Sequence, residues 1–308
     1  MKIGIVGYQG SGKSTLFEWL TGVAADPALA HTTQSTMTPV PEDRVDPLVR
    51  IYQPKKITLA SLELVDTPGL ARSQHEGNAG RLAPIREAGA LVLVVAAYRG
   101  GDPTTELRGF DEDLLLADME IVARRIEKLD EQAKKPRPTR DQDAAEVALL
   151  KPVLAALEAG QRVHDQKLTD EQFRAMRSFQ LLTERPVLVV MNIADDDTQP
   201  QRFTALSTPE RPVVAVPLGL ELELSRMTPE ERNSFLAEMG LTGYDRAGLV
   251  RKIMDVSGQM LYFTAGDKEV RTWMLRRGGT ALEAADNIHT DLARGFIRAE
   301  VMTCRDLI

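Results

Sequence analysis

Hydrophobic and polar positions recur on two different periods along this chain, and each period marks an element. Residues 2–6 (KIGIV) form a short β-branched run that reads as a buried strand. Leu16, Phe17 and Leu20 follow at helical spacing. Residues 57–65 alternate loosely, end in Leu-Glu-Leu-Val and predict a second strand. Residues 90–96 are almost wholly apolar, as a central parallel strand covered on both faces should be. Residues 186–191 and the shorter run 212–216 predict a fourth and a fifth strand. Strands alternating with helical patterns predict an α/β fold with a doubly wound sheet. Its ligand site falls at the carboxyl ends of the strands.

Between the third and fourth strands the period lengthens. Leu115, Met119, Val122, Ile126 and Leu129 fall on a 4-3-4-3 heptad seam. Residues 130–143 are charged, contain Pro136 and Pro138, and predict a tip. Val147, Leu150, Leu154 and Leu157 repeat the seam on the return, with Pro152 bending its early part. The pattern predicts an inserted antiparallel helical (coiled-coil) arm. Thr169 to Gln172 open a further helix with a capping signature, and Phe173, Met176 and Phe179 read as its core face. One helix follows Pro229 through Phe235, Leu236 and Met239 to Gly240, and another spans 249–260. Beyond Leu261 the order becomes strand, strand at 270–275, a Gly278-Gly279 turn, helix at 281–288 and an alternating strand at 295–302. That is a small α+β module.

The first strand leads into Gly7-Tyr8-Gln9-Gly10-Ser11-Gly12-Lys13-Ser14-Thr15, which fits G-x-x-x-x-G-K-[ST] at every position. Strand, loop and helix agree, so a bland glycine-rich turn is the weaker reading. Glycines let successive backbone N–H groups curl around phosphate oxygens, and the helix N-terminus adds positive potential. Lys13 would reach the β- and γ-phosphates, and the Ser14 hydroxyl would ligate Mg²⁺. Asp66-Thr67-Pro68-Gly69 then gives D-x-x-G at the end of the second strand. Asp66 is placed to hold Mg²⁺ and the Gly69 N–H to sense the γ-phosphate. Both roles belong to a G-domain. The organisation expected is a first G-domain part at 1–110, the arm at 111–180, a second G-domain part at 181–258 and the α+β module at 259–308.

The base-reading loop departs from the guanine pattern N-K-x-D. Asn192 and Asp195 are present, but Ile193 replaces the lysine, and no S-A-K-type loop appears near Pro217-Leu218-Gly219. Guanine preference is weakened and ATP is favoured over GTP. The position after D-x-x-G holds Leu70, whose side chain cannot orient an attacking water, so turnover is expected to be slow. His75 is a candidate for placing that water, set against a plain loop histidine. The Mg²⁺-sensing threonine of switch I lies among Thr32, Thr33 and Thr36, with Thr36 taken as the choice.

Composition narrows the class. Of 308 residues, 43% are hydrophobic and 27% charged, an ordinary globular composition that argues against a disordered chain. Thirty-eight Lys+Arg stand against 45 Asp+Glu, a net charge of −7, so the whole chain is no nucleic-acid sponge. No apolar run reaches the ~20 residues needed to cross a bilayer. No signal-peptide core is apparent, and the lone Cys304 cannot form an internal disulfide. A cytoplasmic monomer without membrane contact is expected. Lys134, Lys135, Arg137 and Arg140 at the arm tip could touch an RNA backbone, although a solvated basic loop is the simpler reading. Arg271, Arg276, Arg277, Arg294 and Arg298 could cluster in the last module.

Several pieces together resemble the YchF/Obg-like ATPase family over essentially the whole chain. They are the opening Met1–Gly7 with Gly12-Lys13-Ser14-Thr15-Leu16-Phe17, Pro39-Val40-Pro41-Glu42 with Arg44, and Ile85-Arg86-Glu87. Leu181-Leu182-Thr183 with Pro186-Val187-Leu188, Tyr262-Phe263-Thr264-Ala265-Gly266 and Ile288–Val301 complete the set. The resemblance implies a G-domain with a coiled-coil arm and a C-terminal β-grasp (TGS) domain. It also implies weak ATP hydrolysis and association with ribosomes. Leu70 matches the family's apolar residue in place of a catalytic glutamine. Departures are Gly10-Ser11-Gly12 in the P-loop, Thr67-Pro68 in switch II, a switch II one residue shorter, and Asp195 where the family has Glu. Ending at Ile308 implies a shortened or trimmed TGS domain. Two functions follow: a slow NTPase switch, or a nucleotide-binding scaffold that recruits a partner through its arm and last domain.

Overall fold

A computed structural model of the chain describes residues 1–26, 32–72, 75–134 and 138–307. The strands of the main sheet are β1 (Lys2–Val6), β2 (Gln34–Pro39), β4 (Ser61–Asp66), β5 (Ala90–Ala96), β6 (Val187–Asn192) and β7 (Val213–Val216). They lie in the order β2-β4-β1-β5-β6-β7. All neighbours are parallel except β2, which runs antiparallel to β4 with Gln34 opposite Asp66 and Thr36 opposite Leu64. β1, β5 and β6 are buried on both faces, which is why their sequences are continuously apolar rather than alternating. Ile3, Ile5, Val92 and Val94 face one core layer with Leu16 and Phe17, and Val6, Leu91, Leu93 and Val95 face the other.

Helix α1 (Lys13–Thr21) follows the β1 loop directly. α2 (Val45–Tyr52) and α3 (His75–Leu82) flank β4 in sequence. The arm is α4 (Pro103–Ala133) and α5 (Arg140–Glu158). Its seam buries Val122, Ile126 and Leu129 against Val147, Leu150, Val153 and Leu157. Val153 is buried where the heptad reading put Leu154, which is only partly covered. The helices run further toward the tip than expected, leaving a shorter connection than 130–143. Lys135 and Arg137 lie outside the described residues. The base of α4 is not arm: Phe110, Leu114 and Ala117 belong to the core of the main sheet.

Asp118, fully buried on α4, ties this base to two loops. It accepts from the Leu182 and Thr183 backbone N–H groups at 3.0 and 2.7 Å and from Arg86 at 2.9 Å. A buried carboxylate is tolerable because charged and backbone donors satisfy it. α6 (Asp170–Met176) carries the expected capping box between Thr169 and Gln172. After a single turn, α7 (Gln201–Thr204), come α8 (Leu218–Ser225), α9 (Pro229–Met239) and α10 (Arg246–Val256).

The last part forms a second sheet, β3 (Lys56–Thr58), β9 (Glu269–Arg276) and β8 (Gln259–Ala265) in that order, with α11 (Ala281–Ile288) beside it. Three expectations are corrected. Residues 57–65 are two strands, because β3 leaves the main sheet to pair in parallel with β9, and only β4 stays with β1. The helix expected at 249–260 stops at Val256, since β8 begins at Gln259 and pairs with Arg276. Residues 295–302 form no strand: they pair with nothing among the described residues, and Ile297 is 91% exposed. Alternation alone does not make a strand where no neighbour supplies the ladder.

Candidate nucleotide site

Two glycines of the loop between β1 and α1 stand where a side chain would collide with the neighbouring strands. Gly12 has φ 103°, and a Cβ there would run into the Asn192 side-chain amide. Gly7 has φ 147°, and its Cβ would strike the Val94 carbonyl. Lys13, 6% exposed, donates from Nζ to the Tyr8 carbonyl at 2.9 Å, so its ammonium lies across the loop. Burial lowers this ammonium from its ordinary 10.5 to about 8, with Asp66 opposing the shift. Asn192 fastens the loop from β6: its Nδ2 donates to the Ser11 carbonyl at 3.0 Å, and its Oδ1 accepts from Leu218 N–H at 3.3 Å. Tyr98 fastens it from the turn that follows β5, its hydroxyl donating to the Gly10 carbonyl at 2.8 Å.

Asp66 ends β4 facing this loop. Its Oδ2 accepts from the Ser14 hydroxyl at 2.7 Å, and its Oδ1 is buried with no hydrogen-bond partner. Burial pushes the carboxyl upward, against the pull of the Ser14 hydroxyl and the Lys13 ammonium. A buried carboxylate oxygen without a donor, beside a serine hydroxyl at the head of a phosphate loop, is a donor set that fits Mg²⁺. The cleft measures approximately 390 Å³ and is lined by Gln9, Gly10, Lys13, Ser14, Asp66 and Gly69, among others.

Gly69 sits against Gln9 so closely that a Cβ would clash with its backbone. Leu70 then zips switch II to the loop: its N–H donates to the Gly7 carbonyl at 3.1 Å, and its carbonyl accepts from Gln9 N–H at 3.0 Å. Its side chain is 2% exposed and points into the core. Thr36 is corrected as the switch I threonine: it stands within β2 opposite Leu64, whereas Thr32 and Gln34 line the cleft. His75 opens α3, but its side chain lies outside the described residues. Ile193 is also reassigned: its side chain is 5% exposed in the core cluster with Met191 and Phe203, so it cannot lie along a base. Asp195 accepts from Leu220 N–H at 3.2 Å and so ties its loop to α8.

Sequence reasoning missed four residues here. Tyr8, Asp113 and Asn78 form a buried polar cluster, and Arg81 lines the cleft. Asp113 had one signal, a carboxylate set in the apolar stripe Phe110, Leu114, Ala117. Four of the five C-terminal arginines are engaged by other side chains rather than left as a bare basic patch. Arg276 pairs with Glu283, Arg277 with Asp255 and Arg294 with Asp291, while Arg271 lies over the Trp273 ring. No helix among the described residues is long and apolar enough to cross a membrane.

Sheet order, phosphate loop and D-x-x-G geometry define a P-loop protein of the GTPase fold. Residues 2–138 match the MMR_HSR1 family profile, described as a 50S ribosome-binding GTPase. Residues 260–308 match YchF-GTPase_C, described as a protein of unknown function (DUF933). The chain is 31% identical to the ribosome-binding ATPase YchF of Bacillus subtilis, covering 99% of this chain and 89% of that protein. It is 33% identical to the protein of the same name from Haemophilus influenzae, covering 100% and 90%. The solved YchF GTPase of Schizosaccharomyces pombe superposes with a TM-score of 0.82 at 26% identity, over 100% of this chain and 89% of that one. The chain belongs to the YchF family.

Proposed function

We propose that this chain is a Mg²⁺-dependent nucleoside triphosphatase of low intrinsic rate, a monomeric cytoplasmic switch that engages the ribosome. One observation carries the reading: Lys13, Ser14 and Asp66 converge on one cleft, with a 2.7 Å Ser14–Asp66 contact and an unpartnered Asp66 oxygen. The loop N–H groups and Lys13 bind the triphosphate tail. Ser14 and Asp66 would hold Mg²⁺, with Thr32 in place of Thr36, and the bound ion supplies charge neutralisation at the phosphate oxygens. Water attacks the γ-phosphorus, the bond to the β-bridging oxygen breaks, and nucleoside diphosphate, phosphate and a proton leave.

Burial of Leu70 supports slow turnover, since no side chain at that position reaches the attacking water. ATP over GTP is supported by the base loop, where Ile193 is withdrawn into the core and Asp195 is engaged with Leu220. Ribosome contact rests on the relatives' names and on the arm, whose described basic tip residues are Lys134 and Arg140. Phosphate release from ATP and GTP, with and without ribosomes, tests the reading. Rates above a Lys13→Ala control support it, and rates equal to that control exclude hydrolysis. The buried Leu70 also favours a second reading, a nucleotide-loaded scaffold. That reading requires nucleotide binding, no phosphate release, and partner affinity unchanged by nucleotide.

A further inference from the structure

Two cations line the described part of the triphosphate cleft: Lys13 from the loop and Arg81 from the last turn of α3. Arg81 is half-buried, and one of its terminal nitrogens donates to the Gly69 carbonyl at 3.2 Å. It forms no ion pair with any carboxylate among the described residues. Arg72, the nearby arginine of switch II, is differently committed: it donates to Glu106 at 2.8 Å and to the Gln9 carbonyl at 3.0 Å. A guanidinium carries five N–H donors, and a single carbonyl uses one of them. Its positive charge therefore stands beside Gly69, the glycine of D-x-x-G at the cleft wall, with donor capacity left over.

We infer that Arg81 is a catalytic residue supplied in cis, stabilising the negative charge that builds on the transferring phosphoryl group. This rests on the hydrolysis reading and names a group that lowers the barrier by charge rather than by placing the water. As water attacks and the β-bridging oxygen departs with the bond's electron pair, charge spreads over the γ-phosphoryl oxygens and that leaving oxygen. A fixed guanidinium at the cleft wall interacts more strongly with this state than with the bound triphosphate. The Leu70 side chain cannot orient the water, so the rate enhancement rests on charge stabilisation by the guanidinium eleven positions further on.

The test compares Arg81→Ala and Arg81→Lys with wild type. The measurements are single-turnover phosphate release from ATP and GTP, triphosphate affinity, and affinity for nucleoside diphosphate with fluoroaluminate, a mimic of the transferring group. For a donor acting on the charge of the transition state, Arg81→Ala should lower kcat by roughly 10²–10³-fold. Triphosphate affinity should stay within about threefold and fluoroaluminate trapping should be lost, with Arg81→Lys intermediate. A purely structural grip on Gly69 would instead weaken triphosphate and fluoroaluminate complexes together, and that result overturns the inference. So does an Arg81→Ala rate within about threefold of wild type. If wild type is no faster than Lys13→Ala, the hydrolysis reading falls. Fluoroaluminate affinity still decides Arg81 in that case, equal values in wild type and Arg81→Ala overturning its role.

Discussion

The Tyr8 hydroxyl donates to Asp113 Oδ2 across 2.8 Å, joining the phosphate loop to the base of the arm helix. Asn78 donates to the same oxygen at 3.1 Å and clasps the Ala71 backbone through both atoms of its amide. Loop, switch II and arm thus meet at one buried carboxylate. Burial and the neighbouring Asp113 both push the Tyr8 phenol upward, so it stays a neutral donor throughout the physiological range.

Tyr8→Phe removes that donor while keeping the ring, which packs edge-on against Phe110. The loss of a buried hydrogen bond to a charged acceptor should cost about 1.5–3 kcal/mol. Urea unfolding measures it, and a change under ~0.5 kcal/mol, the level of an ordinary surface substitution, would show the contact to be incidental.

Leu70→Gln should not speed hydrolysis. The side chain faces the core, so the amide would be buried without partners, at about 1–3 kcal/mol of stability. Phosphate release and thermal unfolding on the same preparation check both halves. A faster, equally stable variant would mean that the Leu70 side chain turns outward when nucleotide is bound.

The Lys13 ammonium titrates near 8 in the folded chain and at its ordinary 10.5 when unfolded. Between these values the unfolded chain holds a proton the folded one has lost, so folding stability rises with pH across that window. Triphosphate binding needs the charged form. Affinity should therefore fall as pH climbs above about 8, and binding there should take up a proton. Calorimetry in buffers of different ionisation enthalpy reads that uptake directly. Affinity flat from pH 7 to 9.5 would contradict it.

Much of the site was legible because its chemistry is local. The loop from Gly7 to Thr15 and the Asp66–Gly69 turn are short contiguous motifs whose flanking strand and helix carry their own periodicity. The strand 90–96 was equally plain, since burial on both faces leaves a continuous apolar run. What escaped depends on distant partners. β2 is polar and half-exposed at the sheet edge, and only pairing with β4 makes it a strand. β3 follows the sheet to which β9 recruits it, which the 57–65 pattern cannot express. Residues 295–302 show the converse, with the right alternation and no partner. Asp113 and Arg81 lie far in sequence from the groups they meet, so residue type alone gave them no role.

Lys13, Ser14 and Asp66 are proposed to grip a magnesium triphosphate together. Equilibrium titration of ATP and GTP with Mg²⁺, on wild type, Lys13→Ala and Asp66→Ala, tests it most directly. Wild type should bind saturably, Lys13→Ala should lose binding with or without Mg²⁺, and Asp66→Ala should lose the Mg²⁺-dependent part alone. Unchanged affinity in Lys13→Ala, or no binding of either triphosphate to wild type, would contradict it.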